Sequence, residues 1–404
     1  MSTIKTRFKN DNGHYLSAKL ELPDRQKPHN YAIFAHCFTC SKNLSAVRNI
    51  ARSLNDSGIA VLRFDFTGLG ESEGDFSETG FSSNVQDLVR AAEFLDEDYE
   101  APTLLVGHSL GGAAVIFAAS QIASVKSVAT IGAPSSPAHV QHLFRDHIDK
   151  IKKQGSAEVS IGGRPFQLSR KFIEDLSSRN MESELAGLGR SLIVLHSPQD
   201  AVVGIENARE IYQFARHPKS YISLDGADHL LSSKEDSAYV GSVIAGWSER
   251  YLDIPKVQPP ETHHQVAVSI GNEGYTSEIA AGKHLLIADE PEKAGGDDFG
   301  PSPYEYISAG LGACTAMTLR MYSDRKNWDL QKVVVHLDHK KDYPENTKGI
   351  DQRGNKIDFI KREIELVGNL DDSQRQKLLE IADKCPVHKT LSSSSEIETT
   401  LRQD

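Results

Sequence analysis

Cysteine is scarce here: four residues in a chain of 404. A chain of this length buries a sizeable core without disulfide staples. Together with the lack of an export signal, the low count reads as free thiols in a reducing compartment. No apolar run reaches the roughly 18 residues that would span a bilayer. The opening stretch, MSTIKTRFKNDNGHYL, has no apolar core of the signal-peptide kind. Positive charge is in deficit, with a formal net charge of -11 and 25% charged residues. That excludes a generally basic nucleic-acid binder and leaves only local basic patches. The expectation is a cytoplasmic protein with neither a membrane nor a nucleic-acid partner.

At about 150 residues per domain, the length implies two or three domains. The composition breaks near residue 250. Asp253-Ile-Pro-Lys-Val-Gln-Pro-Pro-Glu-Thr-His263 holds three prolines and little apolar content, so it reads as a linker. The expected organisation is a first domain over 1–250, a linker over 251–261 and a second domain over 262–404. Lys341 to Asn355 reads as a surface loop, and Ser392 to Asp404 as a short final strand with a frayed tail.

In the first domain, short apolar runs alternate with helical patterns. The runs are Ala32–Ala35, Ala60–Phe64, Thr103–Val106, Ser127–Ile131, Ser191–Leu195 and Ser220–Leu224. Helical patterns cover Asn43–Ser57 and Asn84–Asp96. Strands separated by helices imply an α/β fold with a parallel sheet covered on both faces. Tyr15-Leu-Ser-Ala-Lys-Leu reads as an antiparallel edge strand. Residues from about 135 to 188 are too many for an ordinary connection. They are expected to form a helical cap, with helices over His139–Lys153 and Ser169–Leu176. Its Phe144, Phe166 and Phe172 either line a pocket or form the cap's own core.

The sharpest signal is Gly107-His108-Ser109-Leu110-Gly111, with a strand before it and a small-residue helix after it. Small flanking residues permit a tight strand-to-helix turn that lifts the serine hydroxyl clear of the sheet. A serine needs a base to become nucleophilic. The base should follow an acid late in the chain. Leu192-Ile-Val-Leu-His-Ser-Pro-Gln-Asp200 supplies Asp200, and Leu224-Asp-Gly-Ala-Asp-His229 supplies His229. Both follow strands, so both loops lie at the sheet edge beside Ser109. Asp225 and Asp228 are rivals to Asp200, while His108 and His196 read as structural. The oxyanion donors expected are the backbone N–H groups of Leu110 and of Phe38, with Cys37 as the alternative to Phe38.

Residues 1–250 resemble an α/β-hydrolase of the serine esterase and lipase type. The resemblance rests on His36-Cys-Phe-Thr, Asp65-Phe-Thr-Gly-Leu-Gly-Glu-Ser72, the serine turn and Asp228-His229. It implies a Ser-His-Asp hydrolase acting on a small-molecule carboxylic ester, without cofactor or metal. A peptidase stays open, since the same triad cleaves amides. Many relatives have glycine where this chain has Cys37. Cys37-Phe-Thr-Cys40 is a C-x-x-C pair, read either as a redox dithiol or as two small side chains in a turn. No second ligand pair follows at zinc-finger spacing.

The second domain opens with an alternating segment around Gly271-Asn-Glu-Gly274, a hairpin signal. His284–Ala288 is a third strand. Pro301 to Tyr322 reads as a buried central helix, because Ala309, Gly310, Gly312, Ala313 and Ala316 permit close packing. Further strands cover Val333–Leu337 and Phe359–Val367, and a last helix Asp372–Lys384. Cys314 lies on the long helix and Cys385 just past the last one. Two such thiols could reduce a peroxide through a sulfenic acid and a disulfide, or could be buried as small hydrophobes.

Residues 262–404 resemble the OsmC/Ohr group of thiol-dependent hydroperoxide reductases. The matching stretches are Ser302-Pro-Tyr-Glu-Tyr through Ala313-Cys-Thr-Ala, and Lys384-Cys-Pro-Val-His. The resemblance implies Cys314 as the peroxidatic thiol, Cys385 as the resolving one and Glu305 as the glutamate near the active thiol. It further implies an organic hydroperoxide substrate, a thiol reductant and a homodimer. The family's early-strand arginine is missing, since no arginine occurs from Tyr251 to Leu319. Lys283 is the expected substitute cation. A catalytically weak dimerisation or small-molecule-binding module is the competing reading of this half.

Overall fold

The computed structural model describes residues 2–24, 26–37, 40–161, 164–254, 262–272, 274–342 and 357–401. The chain divides into two compact units, Met1–Val257 and Gln258–Asp404.

The first unit begins with β1 (Ser2–Lys9), β2 (Tyr15–Leu22), β3 (Asn30–Ala35), α1 (Ser45–Asp56) and β4 (Ile59–Phe64). It continues with α2 (Phe81–Asp98), β5 (Leu104–His108), α3 (Leu110–Ala119) and β6 (Ser127–Ile131). A cap follows: a 3-10 segment (Pro137–His147), α4 (Ile148–Gln154), the hairpin β7 (Ser156–Ile161) and β8 (Arg164–Ser169), α5 (Arg170–Ser177) and α6 (Met181–Gly187). Then come β9 (Ser191–His196), α7 (Glu206–Phe214), β10 (Lys219–Ser223) and α8 (Lys234–Ser248).

Eight strands form one sheet in the order β1-β2-β4-β3-β5-β6-β9-β10. From β4 to β10 the neighbours are parallel, while β1 and β2 are antiparallel additions. Period-two alternation sorts the side chains between two cores. Phe34, Val61, Val106, Ile131, Ile193 and Leu195 face α1 and α8. Ile33, Leu62, Leu105, Val128 and Val194 face α2, α3, α7 and the cap. Helix α1 buries Val47, Ile50, Ala51 and Leu54 along one stripe. Helix α3 is buried on every side.

Two expectations are corrected here. Strand β2 is not an edge strand, because β1 pairs along its whole length outside it. The polar alternation of β1 hides it, since only Phe8 turns into the core. The cap is not purely helical, because β7 and β8 pair where a simple break between helices was expected. Phe144 and Phe172 are buried in the core, and Phe166 and Phe172 pack against Phe76 at ring distances of 5.5 and 5.8 Å.

The second unit holds a three-stranded antiparallel sheet, β11 (Val266–Ile270), β12 (Ser277–Ala281) and β13 (His284–Ala288). Helix α9 (Pro303–Lys326) follows, then the antiparallel pair β14 (Asp329–Asp342) and β15 (Ile357–Asn369), α10 (Asp372–Ala382) and α11 (Pro386–Ser392). Prolines and a capping box suit the start of α9: Ser302 accepts from the Glu305 N–H, and the Glu305 carboxylate accepts from Ser302. The small core comprises Leu319, Leu330, Leu370, Leu378, Ile381 and Ala382.

Within this chain α9 is not the buried central helix its small residues suggested. Only Leu311, Gly312, Thr315, Leu319 and Ser323 are buried. Ala309, Gly310 and Ala313 are exposed, because α10, α11 and the β14–β15 pair cover one side of the helix. The final strand expected after Ser392 is absent from the described residues, and the short helix α11 begins just after Cys385. The loop expected over 341–355 lies outside the described residues beyond Asp342.

Candidate active sites

Ser109 occupies the sharp turn between β5 and α3 with φ of +56°, a left-handed conformation that side chains other than glycine seldom adopt. Its N–H donates to the Ile131 carbonyl at 2.8 Å, which fixes the turn on the neighbouring strand. The glycines around it are needed for space. A Cβ on Gly107 would lie 2.3 Å from the Gly111 carbonyl oxygen. One on Gly111 would lie 2.4 Å from the Ala35 oxygen, and one on Gly112 2.6 Å from the Ala133 Cβ. At Gly107 and Gly111 backbone meets backbone, and only glycine lets β3, β5 and α3 converge there.

Three polar side chains meet at this turn. His229 Nε2 lies 3.0 Å from Ser109 Oγ, and its Nδ1 lies 2.7 Å from Asp200 Oδ2. The other carboxylate oxygen of Asp200 accepts the N–H groups of Val202 and Val203 at 2.8 and 2.9 Å. Burial works against the Asp200 charge, but the hydrogen bonds from His229 and these N–H groups hold its pKa below the ordinary carboxylate value. Gly132, at φ of +53°, runs beneath this pair, leaving room for both side chains.

The rivals are engaged elsewhere. Asp228 accepts the Ser232 N–H at 2.9 Å, and Asp225 accepts the Ser223 hydroxyl at 2.7 Å. His108 and His196 stand behind the site. His108 is buried, and its pKa falls to about 3 through desolvation and its proximity to His229. As a neutral ring it donates from Nε2 to the His229 carbonyl at 2.6 Å. His196, also held neutral by burial, donates to the Val203 carbonyl at 2.7 Å and so braces the Asp200 loop.

The Leu110 N–H opens α3, where a first-turn N–H has no partner within the helix. Phe38 lies outside the described residues. Beside it, Cys37 and Cys40 are joined as a disulfide, contrary to the expectation of free thiols. A turn closed by the Cys40 N–H on the Cys37 carbonyl at 3.1 Å brings the two Cα atoms to 5.2 Å. The Asp65–Ser72 stretch anchors the same region. Buried Asp65 accepts the Lys42 N–H at 2.7 Å, the Lys42 ammonium at 2.5 Å and the Glu71 N–H at 3.0 Å. This ties the loop after β4 to the segment leading into α1.

In the second unit the structure brings Cys314 and Cys385 together. Cys385 is buried and Cys314 partly exposed, with both thiols free. Burial disfavours the Cys385 thiolate, but hydrogen bonds from the Cys314 thiol, the His388 N–H, the Thr315 hydroxyl and the Val387 N–H lower its pKa overall. Glu305 stands nine residues before Cys314, about 13 Å along the helix axis, and its described hydrogen bonds go to Ser302. Lys283 lies in the turn between β12 and β13, exposed.

A cation that sequence reasoning did not weigh, Arg362 on β15, lies beside Thr315. Its guanidinium donates to Thr315 Oγ1 at 3.0 Å, to the Ala382 carbonyl at 3.3 Å and to Asp383 at 2.6 Å. A signal was present, because Arg362 shares the inward register of Ile360, Ile364 and Leu366 between exposed charged neighbours. Among the described residues no group of three or more His, Cys, Asp and Glu side chains is placed to hold a metal ion. No helix among them is long and apolar enough to cross a membrane.

A mostly parallel sheet, a serine on a strained strand-to-helix turn and an inserted cap define the α/β-hydrolase class. Comparison with known proteins agrees. Residues 27–182 match the family model described as serine aminopeptidase, S33, and residues 295–400 match that of OsmC-like protein. The chain is 48% identical to a crystal structure of the esterase domain of a Rhodothermus marinus protein. That match covers 62% of this chain and 99% of the other, with a TM-score of 0.53. The uncharacterized protein YfhR of Salmonella typhimurium is 23% identical over 205 residues, 50% of this chain and 66% of that protein. The mitochondrial palmitoyl-protein thioesterase ABHD10 of Rattus norvegicus is 34% identical over 113 residues, 28% of this chain and 36% of that protein. The chain thus spans less than two thirds of these curated relatives. It belongs to the α/β-hydrolases of esterase type through its first domain, and it carries an OsmC-like second domain.

Proposed function

We propose that the first domain hydrolyses small carboxylic esters with Ser109 as nucleophile, His229 as base and Asp200 as its orienting acid. The observation that carries this reading is the continuous chain of contacts, 3.0 Å from Ser109 to His229 and 2.7 Å from His229 to Asp200. His229 Nε2 takes the hydroxyl proton as Oγ attacks the ester carbonyl. The oxyanion that forms accepts the Leu110 N–H and a second donor, assigned to the Phe38 N–H. The imidazolium, stabilised by Asp200, gives its proton to the leaving alcohol. Water then repeats the attack on the acyl-serine and releases the acid. A fluorophosphonate probe with peptide mapping tests the assignment: labelling is expected on Ser109 and to be lost in His229→Ala. Ser109→Ala should abolish p-nitrophenyl ester hydrolysis, and a variant that keeps most of that rate overturns the reading. Faster cleavage of aminoacyl amides than of esters would favour the peptidase named by the matching family.

For the second domain the reading is a thiol-dependent hydroperoxide reductase. Cys314, the more accessible thiol, attacks an organic hydroperoxide as thiolate. An S–O bond forms, the O–O bond breaks and the alkoxide leaves as alcohol after taking a proton. Cys385 then attacks the sulfenic sulfur, forming the disulfide and expelling water. An external thiol reductant restores the pair. Arg362, rather than Lys283, supplies the positive charge, reaching Cys385 through the Thr315 hydroxyl. The exposed Ile307, Met317 and Met321 of α9 and Val266, Val268 and Ile270 of β11 favour a second copy as partner. Intact mass after an organic hydroperoxide titration tests the chemistry. A Cys314–Cys385 disulfide is expected, and a sulfenic acid on Cys314 in Cys385→Ser. Undiminished consumption by Cys314→Ser would leave a binding or dimerisation module instead.

A further inference from the structure

Away from both sites, β1 and β2 turn a row of cations to the α1 side of the sheet. Lys5 pairs directly across from Lys19, and Arg7 across from Ser17. Like charges opposite one another on antiparallel strands are destabilising. Here the pair also adjoins Arg63 and Lys42, so Lys19 holds its proton less tightly, through partial burial first and then the fields of Arg63, Lys42 and Lys5. A cleft of about 440 Å³ opens over them, walled by Lys42, Glu71 and Glu73.

The nearby carboxylates offset this row only in part, the Glu71 charge acting on Lys19 without an ion-pair contact. Glu21 pairs with Arg63. Glu71 is taken by Lys42 and the Ser17 hydroxyl, and Glu73 accepts the Tyr15 N–H at 2.9 Å. Arg7 lies over the Tyr15 ring at 4.1 Å, and the Lys19 ammonium donates to Asn43 at 2.7 Å. Those uncharged contacts aim the cations without cancelling their charge. No carboxylate pairs with Lys5, Arg7 or Lys19 among the described residues. A chain of net charge -11 has thus gathered three cations without an ion-pair partner among the described residues around one concave site, where they outnumber the carboxylates of Glu71 and Glu73 that also line it.

We propose that this cleft binds a compact polyanion of the phosphate or pyrophosphate class carried by a soluble small molecule. The ligand's oxygens bridge Lys5 and Lys19, and Arg7 offers a fork of donors suited to phosphate. The site is separate from the serine turn: β2 and β5 are three strands apart in the sheet, roughly 14 Å at ordinary strand spacing. The concave shape and the negative charge of the whole chain favour a small soluble anion over an anionic membrane.

The test is calorimetric titration of the full chain with inorganic pyrophosphate at constant ionic strength. One saturable site per chain is expected. Lys5→Gln combined with Lys19→Gln should weaken it at least about tenfold. Arg7→Gln alone should weaken it too, and the remote Lys234→Gln should leave it unchanged. Without ligand, the double variant should melt no lower than wild type, because a repulsion has been removed. Absence of saturable binding in wild type, or equal affinity in all variants, overturns the proposal. So does lysine-dependent binding to phosphatidylglycerol vesicles without pyrophosphate binding.

Discussion

Gly132→Ala offers a way to displace the proposed acid without altering its chemistry. Gly132 ends β6 at φ of +53°, and an added Cβ would sit 3.2 Å from Asp200 Oδ2 and 3.4 Å from His229 Nδ1. Two costs follow. The backbone cost of alanine in the left-handed region is about 1 kcal/mol. In a unit of this size that lowers the melting midpoint by roughly 2–4 °C. The second cost falls on activity, because the methyl group crowds the oxygen that holds the imidazole. The carboxylate must yield by a few tenths of an ångström, turning His229 away from Ser109. Misplacement by about 1 Å costs about a hundredfold, so a shift of a few tenths should lower kcat by roughly three- to tenfold. Gly13→Ala is the control. It carries the same backbone penalty at φ of +81°, with nothing within 4 Å of the new Cβ. Melting curves and p-nitrophenyl acetate kinetics on both variants separate the two costs. Both should melt lower, and only Gly132→Ala should lose kcat. If it melts lower yet keeps its kcat within about twofold of wild type, the Asp200–His229 contact is not what orients the base.

Other consequences are open to measurement. Arg362→Ala should slow hydroperoxide consumption and move the pH profile of cysteine alkylation upward, with Arg362→Lys recovering part of the shift. An unmoved profile would remove Arg362 from the thiol chemistry. Asp87, desolvated within the core, has its pKa raised to about 6 from 3.8 despite hydrogen bonds from Thr67. A folded-state pKa above the unfolded one means stability is lost as pH rises between those values, by on the order of 3 kcal/mol at full ionisation. Urea midpoints should show this decline in wild type relative to Asp87→Asn, and a constant difference between the two across about pH 4–6 would refute it. Met317→Glu with Met321→Glu should shift the chain from dimer to monomer in sedimentation velocity, and a monomeric wild type at micromolar concentration would refute the self-association reading.

The parallel strands were legible because each is a short apolar run bounded by turn residues, and β3, β4, β5, β6, β9 and β10 fall close to their expected positions. Strand β1 was not, since a strand at the sheet edge needs few apolar residues and Ser2–Lys9 buries only Phe8. The cap hairpin is not legible because Ile161-Gly-Gly-Arg-Pro reads as a break between two helices, and β7 and β8 are short and partly polar. At the serine turn, residue type and chain order were enough to nominate Ser109, Asp200 and His229. The supports were less visible: nothing in a linear string says that His108 grips the His229 carbonyl or that His196 grips that of Val203. Composition points to free thiols, while the C-x-x-C spacing leaves a redox dithiol and two small side chains in a turn both open, so the Cys37–Cys40 link is one that the spacing permits without selecting. Arg362 is not legible as a neighbour of the thiol helix because it reaches Thr315 from β15, nearly fifty residues further along the chain.

The crowding around Gly111 bears on how this domain can change. A Cβ there would run into the carbonyl oxygens of both Ala35 and His36. The serine turn and the end of β3 are thus in van der Waals register, although they lie some seventy positions apart in the chain. Neither can drift alone: a bulkier residue at Gly111 pushes on the end of β3. For directed evolution, the two segments form one inheritance unit. Libraries that diversify residues 36–41 against a fixed turn should yield few active clones, and those that recombine both segments from one parent should yield many more. Chimeras joined between α1 and β5 would measure that linkage directly.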